Sequence, residues 1–284
     1  MQRLLGRPTV AAAHREARVI AVASGKGGTG KSFVSTNLAV ALHRMGRRVA
    51  VVDCDFGLGN AHLLLGVNPR HALHHLLSGE VDLAQVLVRT PFGPDLVAGG
   101  SGISGIAEFD ARQFVMLARC LGEVASDHDV VILDCAAGLS TQTVLTMLGA
   151  EHVVLVTNPE IAALTDAYAL VKCLARHGNG PEVHLVVNRV MVPGQGRPTF
   201  ERLADVSRRF VGKTLSYLGE VTDNPNVSHR RLGQPPLIVS HEECSESKSI
   251  RSILAGLEVA VGPLLAGIPS EGVEQRLVHR LRGT

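Results

Sequence analysis

Eight residues constrain this chain more than any others: Gly25-Lys26-Gly27-Gly28-Thr29-Gly30-Lys31-Ser32. They run glycine, four residues, then Gly-Lys-Ser, without a gap. The apolar run Val19–Ala23 before them reads as a buried strand, and Phe33–Met45 after them reads as a helix. Strand, glycine-rich loop and helix in that order make a phosphate-binding loop. Glycines permit the tight turn that aims several backbone N–H groups at one anion. The N-terminus of the following helix adds partial positive charge at the same spot. Lys31 is expected to reach the β- and γ-phosphate oxygens, and the Ser32 hydroxyl to ligate Mg²⁺. An ordinary glycine-rich turn is the alternative, and the complete match in its strand–helix setting speaks against it.

The rest of the chain suits that loop. Its 284 residues fit one α/β domain with tails better than two domains. With 45% hydrophobic residues, 3% aromatic and no Trp, the core must be built from Val, Leu, Ile and Ala, as in a parallel sheet buried on both faces. Further strands are expected at Arg48–Asp53, Asp95–Gly100, Asp129–Asp134, Val153–Thr157, Val183–Asn188 and Leu215–Val221. Helical spacing occurs over Leu73–Leu77, Leu83–Val88, Ala111–Val124, Thr165–Leu174, Phe200–Phe210 and Ser249–Val261. The expected fold is an α/β P-loop NTPase, with a mostly parallel central sheet flanked by helices on both faces. Its expected divisions are an N-terminal arm over 1–17, an ATPase domain over 18–263 and a C-terminal tail over 264–284.

Composition excludes other classes. A formal net charge of +2 is too mild to indicate nucleic acid or anionic lipid by itself. The histidines are scattered, and the cluster His71, His74, His75 has no cysteine at zinc-finger spacing. Five cysteines, an odd count with no CxxC pair, argue against a disulfide framework and for a reducing compartment. No apolar run approaches the ~20 residues that cross a bilayer, and the N-terminus lacks a signal-type apolar segment. The expected location is therefore the cytoplasm.

Carboxylates stand where such a loop needs them. Asp53 and Asp55 close the second strand, at the end where ligands sit in open α/β sheets. Asp134 ends an apolar strand and is placed to polarise a Mg²⁺-bound water. Gly138, in the loop after it, can donate a backbone N–H to a γ-phosphate. Each of these acids has the alternative of capping a turn. Asn188, ending a strand before Arg189, offers both donor and acceptor to an adenine edge, or caps the strand.

Lys26 is an extra lysine, five residues before Lys31 and followed by Gly27-Gly28. With it the loop resembles the deviant Walker A of the MinD/ParA family. The resemblance spans about residues 18–260. It implies ATP/ADP and Mg²⁺ as ligands, and an ATP-dependent homodimer in which Lys26 crosses to the partner's phosphates. It implies contacts from Gly25 through Ser32, and Mg²⁺ held with Ser32, Asp55 and Asp134. It makes Lys26, Lys31 and Asp55 the catalytic set, with Asp55 orienting the attacking water and Asp53 supporting from behind. Asn188, Arg189 and Asp223 are implied base-side contacts. The family's Pro-x-Asp at that last place is here Thr222-Asp223-Asn224.

Within the family the chain looks most like the flagellar-number branch, FlhG/FleN. The carrying strings are Leu58–Gly66, Gly99–Ile103, Asp134–Ser140 and Asn158–Leu170. That branch implies control of flagellar number or placement. It also implies partners such as an FlhF-like GTPase, flagellar C-ring components or a flagellar transcription regulator. Residues 1–10 do not reproduce the branch's GTPase-stimulating segment. The branch's membrane-targeting tail has a counterpart in Val273, Leu277, Val278 and Leu281, with Arg276, Arg280 and Arg282 alongside. This tail is either an amphipathic helix for peripheral contact at the inner membrane face, or a solvated or core-capping helix. Three rival assignments stand beside it: a MinD-type division-site selector, a ParA-type DNA partitioner, and a nitrogenase-type iron protein using Cys120 and Cys135.

Overall fold

The computed structural model describes residues 17–57, 59–100, 109–178, 180–224, 227, 233–262 and 272–282. The expected arm up to residue 16, Leu58 and Ser101–Ile103 lie outside them. The strands are β1 (Arg18–Ser24), β2 (Val49–Cys54), β3 (Leu87–Arg89), β4 (Asp95–Val97), β5 (Val130–Ala137), β6 (His152–Thr157), β7 (Glu182–Val190) and β8 (Leu215–Thr222). Among the described residues they form one sheet in the order β3-β4-β2-β5-β1-β6-β7-β8. Every pairing is parallel except β3 with β4. The chain crosses over near β1, where the order reverses and ligands bind in such sheets.

The helices are α1 (Lys31–Arg44), α2 (Ala61–Leu64), α3 (Leu73–Leu77), α4 (Leu83–Val86), α5 (Ala111–Asp127) and α6 (Thr141–Gly149). They continue with α7 (Ile161–Ala175), α8 (Gly196–Val211), α9 (Leu237–Ser240), α10 (Ser245–Val261) and α11 (Val273–Arg282). One sheet face is covered by α1, α9 and α10, through Phe33, Leu38, Leu42, Ile238, Ile250 and Leu257. The other carries α3, α5, α6, α7, α8 and α11. Successive strand residues alternate between these two clusters: Val153 and Leu155 fill one, Val154 and Val156 the other. Burial on both faces explains why the strands read as unbroken apolar runs.

The structure redraws some expected boundaries. The helical pattern over Leu83–Val88 stops at Val86, and Leu87–Arg89 becomes the antiparallel edge strand. The turn Thr90–Pro94, with Gly93 at φ 109, folds that strand onto β4. Helix α6 is an addition, with its N-terminus capped by the Ser140 hydroxyl accepting from Thr143 N–H at 3.2 Å. Helices α7, α8 and α10 start about one turn before their expected first residues.

Of the tail, the structure describes residues 272–282, without the side chains of Arg280, Leu281 and Arg282, and its helix α11 packs on the core. Val273 and Leu277 of α11 are buried and join the cluster beside α5 and α6. Gly149 makes the room, since a Cβ there would lie 2.7 Å from Leu277 Cδ2. Arg276 Nε donates to Gly149 O at 2.9 Å. No helix among the described residues is long and apolar enough to cross a membrane.

Candidate nucleotide site

The loop between β1 and α1 sits at the C-terminal ends of the central strands. Gly28 (φ 78) and Gly30 (φ 88) hold left-handed backbone that a side chain would strain. Gly30 has a second constraint, because a Cβ there would collide with the Asn188 amide. At Gly25 a Cβ would strike the backbone of Asp166 in α7, so the loop is pressed onto that helix. Gly27 and Gly28 have open space where a Cβ would be. The first N–H groups of α1 have no intrahelical partner, which leaves donors at the loop.

Lys31 lies under this loop, buried. Its Nζ donates to Asp134 Oδ1 at 2.8 Å and to Ser32 Oγ at 3.3 Å. Ser35, one turn further along α1, also donates to Asp134 Oδ1, at 2.9 Å. Burial works against the lysine's charge, but Asp134 outweighs it through charge and hydrogen bond, and the Lys31 pKa is raised. Asp134 stands beside Asp53 on the neighbouring strand. Burial, reinforced by Asp134, pushes the Asp53 pKa up to about 7. The Asp53 carboxylate accepts from Asp55 N–H at 3.0 Å and Ala61 N–H at 3.1 Å. It therefore ties down the loop that carries the half-buried Asp55. Gly59 and Gly99 pack against this knot, where a Cβ would come within 2.7 Å of Asp53 Oδ2 and 2.6 Å of Asp53 O.

These residues fit Mg²⁺ and a polyphosphate. Asp134 Oδ2 and Thr29 Oγ1 are buried with no hydrogen-bond partner. Asp134, Ser32 and Lys31 are gathered at one point, and Asp55 lies on the adjoining loop. Lys26 points elsewhere: its Nζ is 2.6 Å from Glu160 Oε2, just before α7. Gly138 N–H donates to Ser24 O at 3.0 Å, so the group expected to meet a γ-phosphate is engaged within the chain.

The base-side residues are brought to the loop as well. Asn188 Nδ2 donates to Thr29 O at 2.7 Å, and Arg189, at φ 57, donates to Gly28 O at 3.2 Å. One N–H of the Asn188 amide thus braces the phosphate loop, and its second N–H and its carbonyl are not used by that bond. Asp223 lies 3.6 Å from Arg189 Nε. The departing segment Thr222–Asn224 is anchored by Glu246 of α10, whose Oε1 accepts from Thr222 Oγ1 at 2.8 Å and Asn224 Nδ2 at 3.0 Å.

Sequence reasoning missed Ser35, Glu160, Glu246 and the packing role of Gly99. Ser35 had a signal, four residues after Lys31 on one helix face. Glu160 and Gly99 lie inside the family-like stretches Asn158–Leu170 and Gly99–Ile103, which say nothing of their contacts, and Glu246 carried no local signal. The iron-protein alternative fails on burial. Cys120 and Cys135 are both buried in the core, where burial pushes their pKa up to about 12, and neither reaches a surface to share a cluster.

Comparison with known proteins agrees with this geometry. The family model described as an AAA domain matches residues 17–179. The antiactivator FleN of Pseudomonas aeruginosa is 36% identical over 210 residues, covering 74% of this chain and 75% of that protein. The flagellum site-determining protein YlxH of Helicobacter pylori is 36% identical over 214 residues, covering 73% and 70%. Among solved structures, the septum site-determining protein MinD of Pyrococcus horikoshii, complexed with Mg-ADP, superposes with TM-score 0.74. It is 29% identical and covers 89% of this chain and 100% of that one. The deviant phosphate loop, the MinD-like fold and these relatives agree, and the chain belongs to the MinD/ParA family of P-loop ATPases, alongside FleN.

Proposed function

We propose that this ATPase is a dimerisation switch that controls flagellar number or placement. The observation that carries the reading is Lys26, half-exposed at the edge of a complete phosphate loop with its Nζ paired to the exposed Glu160 carboxylate. An exposed pair of that kind costs little to break. Lys26 is then available to the phosphates of a second subunit docked face to face.

The division of labour follows from the site. Lys31 and the loop N–H groups bind the β- and γ-phosphates of ATP. Ser32 and Asp134 would hold Mg²⁺, with Asp55 on the adjoining loop, and the ion would supply positive charge against the phosphates. Asp55 orients the attacking water, and Asp53 keeps Asp55 in position. Hydrolysis to ADP and phosphate removes the γ-phosphate contacts that hold the dimer, so nucleotide state sets dimer state. Asn188, Arg189 and Asp223 brace the loop and border the base.

One relative, the Helicobacter protein, is named for determining the flagellum site, and that supports the flagellar output over division-site selection. The partners in this reading are a second copy of the chain and a flagellar transcription regulator, in line with the antiactivator name of the Pseudomonas relative. An FlhF-like GTPase or C-ring components remain further partners of the same reading. Peripheral contact with the inner membrane face would require α11 to leave α5 and α6.

The test is light scattering with phosphate release. Wild-type chain should be a monomer with ADP and a dimer with a non-hydrolysed ATP analogue. Lys26→Ala should bind the analogue and stay a monomer. Equal dimer fractions in the two proteins would refute the switch.

A further inference from the structure

Three ligand-type side chains converge at the end of the sheet opposite Lys31. His152 opens β6. Glu182 opens the neighbouring parallel strand β7, level with His152, and His184 follows two residues later. Residues two apart on a strand share a face, so Glu182 and His184 lie on one side of the sheet. His152 Nδ1 is 3.2 Å from His184 Nε2. Glu182 Oε2 is 3.6 Å from His152 Nδ1 and 4.0 Å from His184 Nε2. One ligand atom from each of the three lies within 4.8 Å of the other two. None of these residues belongs to the nucleotide site.

We propose that His152, Glu182 and His184 form a site for a divalent transition ion, with Zn²⁺ the ion that fits, joining the N-terminal ends of β6 and β7. Zinc binds His N and Glu O at about 2.0–2.2 Å in a tetrahedron, which places ligand atoms roughly 3.3 Å apart. The nitrogen–nitrogen distance already has that value. The carboxylate distances are longer, but the Glu182 side chain is 68% exposed and closes by rotation. Its exposure also gives the ion a route in and leaves the fourth position to water.

The donor set selects the ion. Two imidazoles favour ions of intermediate softness, whereas Mg²⁺ and Ca²⁺ take mostly oxygen. Burial disfavours the charged form of both rings. Burial, with His184 beside it, lowers the His152 pKa to about 4, and burial lowers that of His184. The nearby cations are Arg18 and Arg276. Arg18 is paired with Glu151 at 3.2 Å, and Arg276 Nε is held by Gly149 O. A plain N–H···N bond between the rings would explain two of the three side chains. It gives no reason for a carboxylate within reach of both nitrogens.

The experiment uses the full chain, stripped with a chelator and then freed of it. Co²⁺, which has an intense visible band only in tetrahedral sites, is titrated in, and Zn²⁺ is used to displace it. One ion per chain should bind with that band, and Zn²⁺ should raise the melting temperature. Glu182→Gln, at the exposed rim, should weaken binding by about tenfold or more. His152→Asn should abolish the band; if that variant does not fold, Glu182→Gln still carries the test. A chain that shows no saturable tetrahedral band holds only a hydrogen-bonded ring pair, and the proposal is wrong. It is equally wrong if the affinity is unchanged in Glu182→Gln.

Discussion

Lys31 and Asp134 form a buried ion pair, Nζ to Oδ1 at 2.8 Å, with 8% and 1% of the side chains exposed. The lysine under the glycine-rich loop and the carboxylate within β5 thus neutralise one another in the chain without nucleotide. Desolvating both charges is costly, and removing one partner leaves the other buried and unpaired. Lys31→Ala should therefore abolish ATP binding and also destabilise the nucleotide-free chain by about 3–5 kcal/mol. Denaturant unfolding without nucleotide reads the second effect. An unchanged midpoint would mean the pair is only a by-stander to folding.

The Lys26–Glu160 pair, at 2.6 Å, is different because it is exposed to solvent. Glu160→Gln should leave stability within about 0.5 kcal/mol of wild type. It should also release Lys26 and favour the ATP-bound dimer. Sedimentation with a non-hydrolysed analogue compares the two proteins. A dimer fraction below that of wild type would mean that Glu160 supports the dimer and does not restrain Lys26.

Asp53 and Asp55 should separate cleanly under mutation. On the proposed reading, Asp55→Ala should keep ATP binding and slow hydrolysis by about 10²–10⁴-fold, because the attacking water would lose its orienting carboxylate. Asp53→Ala should act on folding first, since two backbone N–H groups, of Asp55 and Ala61, lose their acceptor. Phosphate release at saturating ATP, beside thermal melting, distinguishes them. Wild-type turnover by Asp55→Ala would make Asp55 structural.

Glu246 gives a pH dependence of known sign. Burial favours its protonated form, but hydrogen bonds from Ser245, Thr222, its own backbone and Asn224 win, and its pKa is lowered to about 2 from 4.5. The folded state therefore prefers the ionised form. The resulting stability is present above pH ~4.5 and lost as pH falls toward 2. Glu246→Gln should cost about 1–3 kcal/mol at pH 7 and almost nothing near pH 2. Melting curves of both proteins from pH 2 to 7 test this, and a pH-independent difference would rule it out.

Leu277→Ala should destabilise the chain by about 2–4 kcal/mol, because Leu277 is 3% exposed between α11 and the Gly149 backbone. If α11 also serves lipid, the same change should lower binding to anionic vesicles. Vesicle flotation of wild type with ATP and with ADP measures that directly. A freely solvated tail would give a change below about 0.5 kcal/mol.

The sequence by itself determined whatever depends on short-range pattern. Gly25–Ser32 between an apolar run and a helical one dictates a phosphate loop, because only glycines turn that tightly and only a helix start completes the anion site. The strands were readable as apolar runs because both sheet faces are covered. Asp53, Asp55 and Asp134 were readable because each ends such a run, where site residues stand in these sheets.

Tertiary structure decided everything that depends on which strands and helices become neighbours. Asp134 and Asp53 meet because β2 pairs with β5, and only then does burial beside a second carboxylate raise the pKa of Asp53. Asn188 comes to rest on Thr29 O from 159 residues away. The tail resembles an amphipathic surface helix in sequence, yet Gly149 and the flanks of α5 and α6 supply an apolar seat for it. His152 and His184, 32 residues apart and without metal-binding spacing, face each other only because β6 and β7 pair in register. Side-chain chemistry is written locally, but proximity across a sheet is set by strand order and register, which no local pattern encodes.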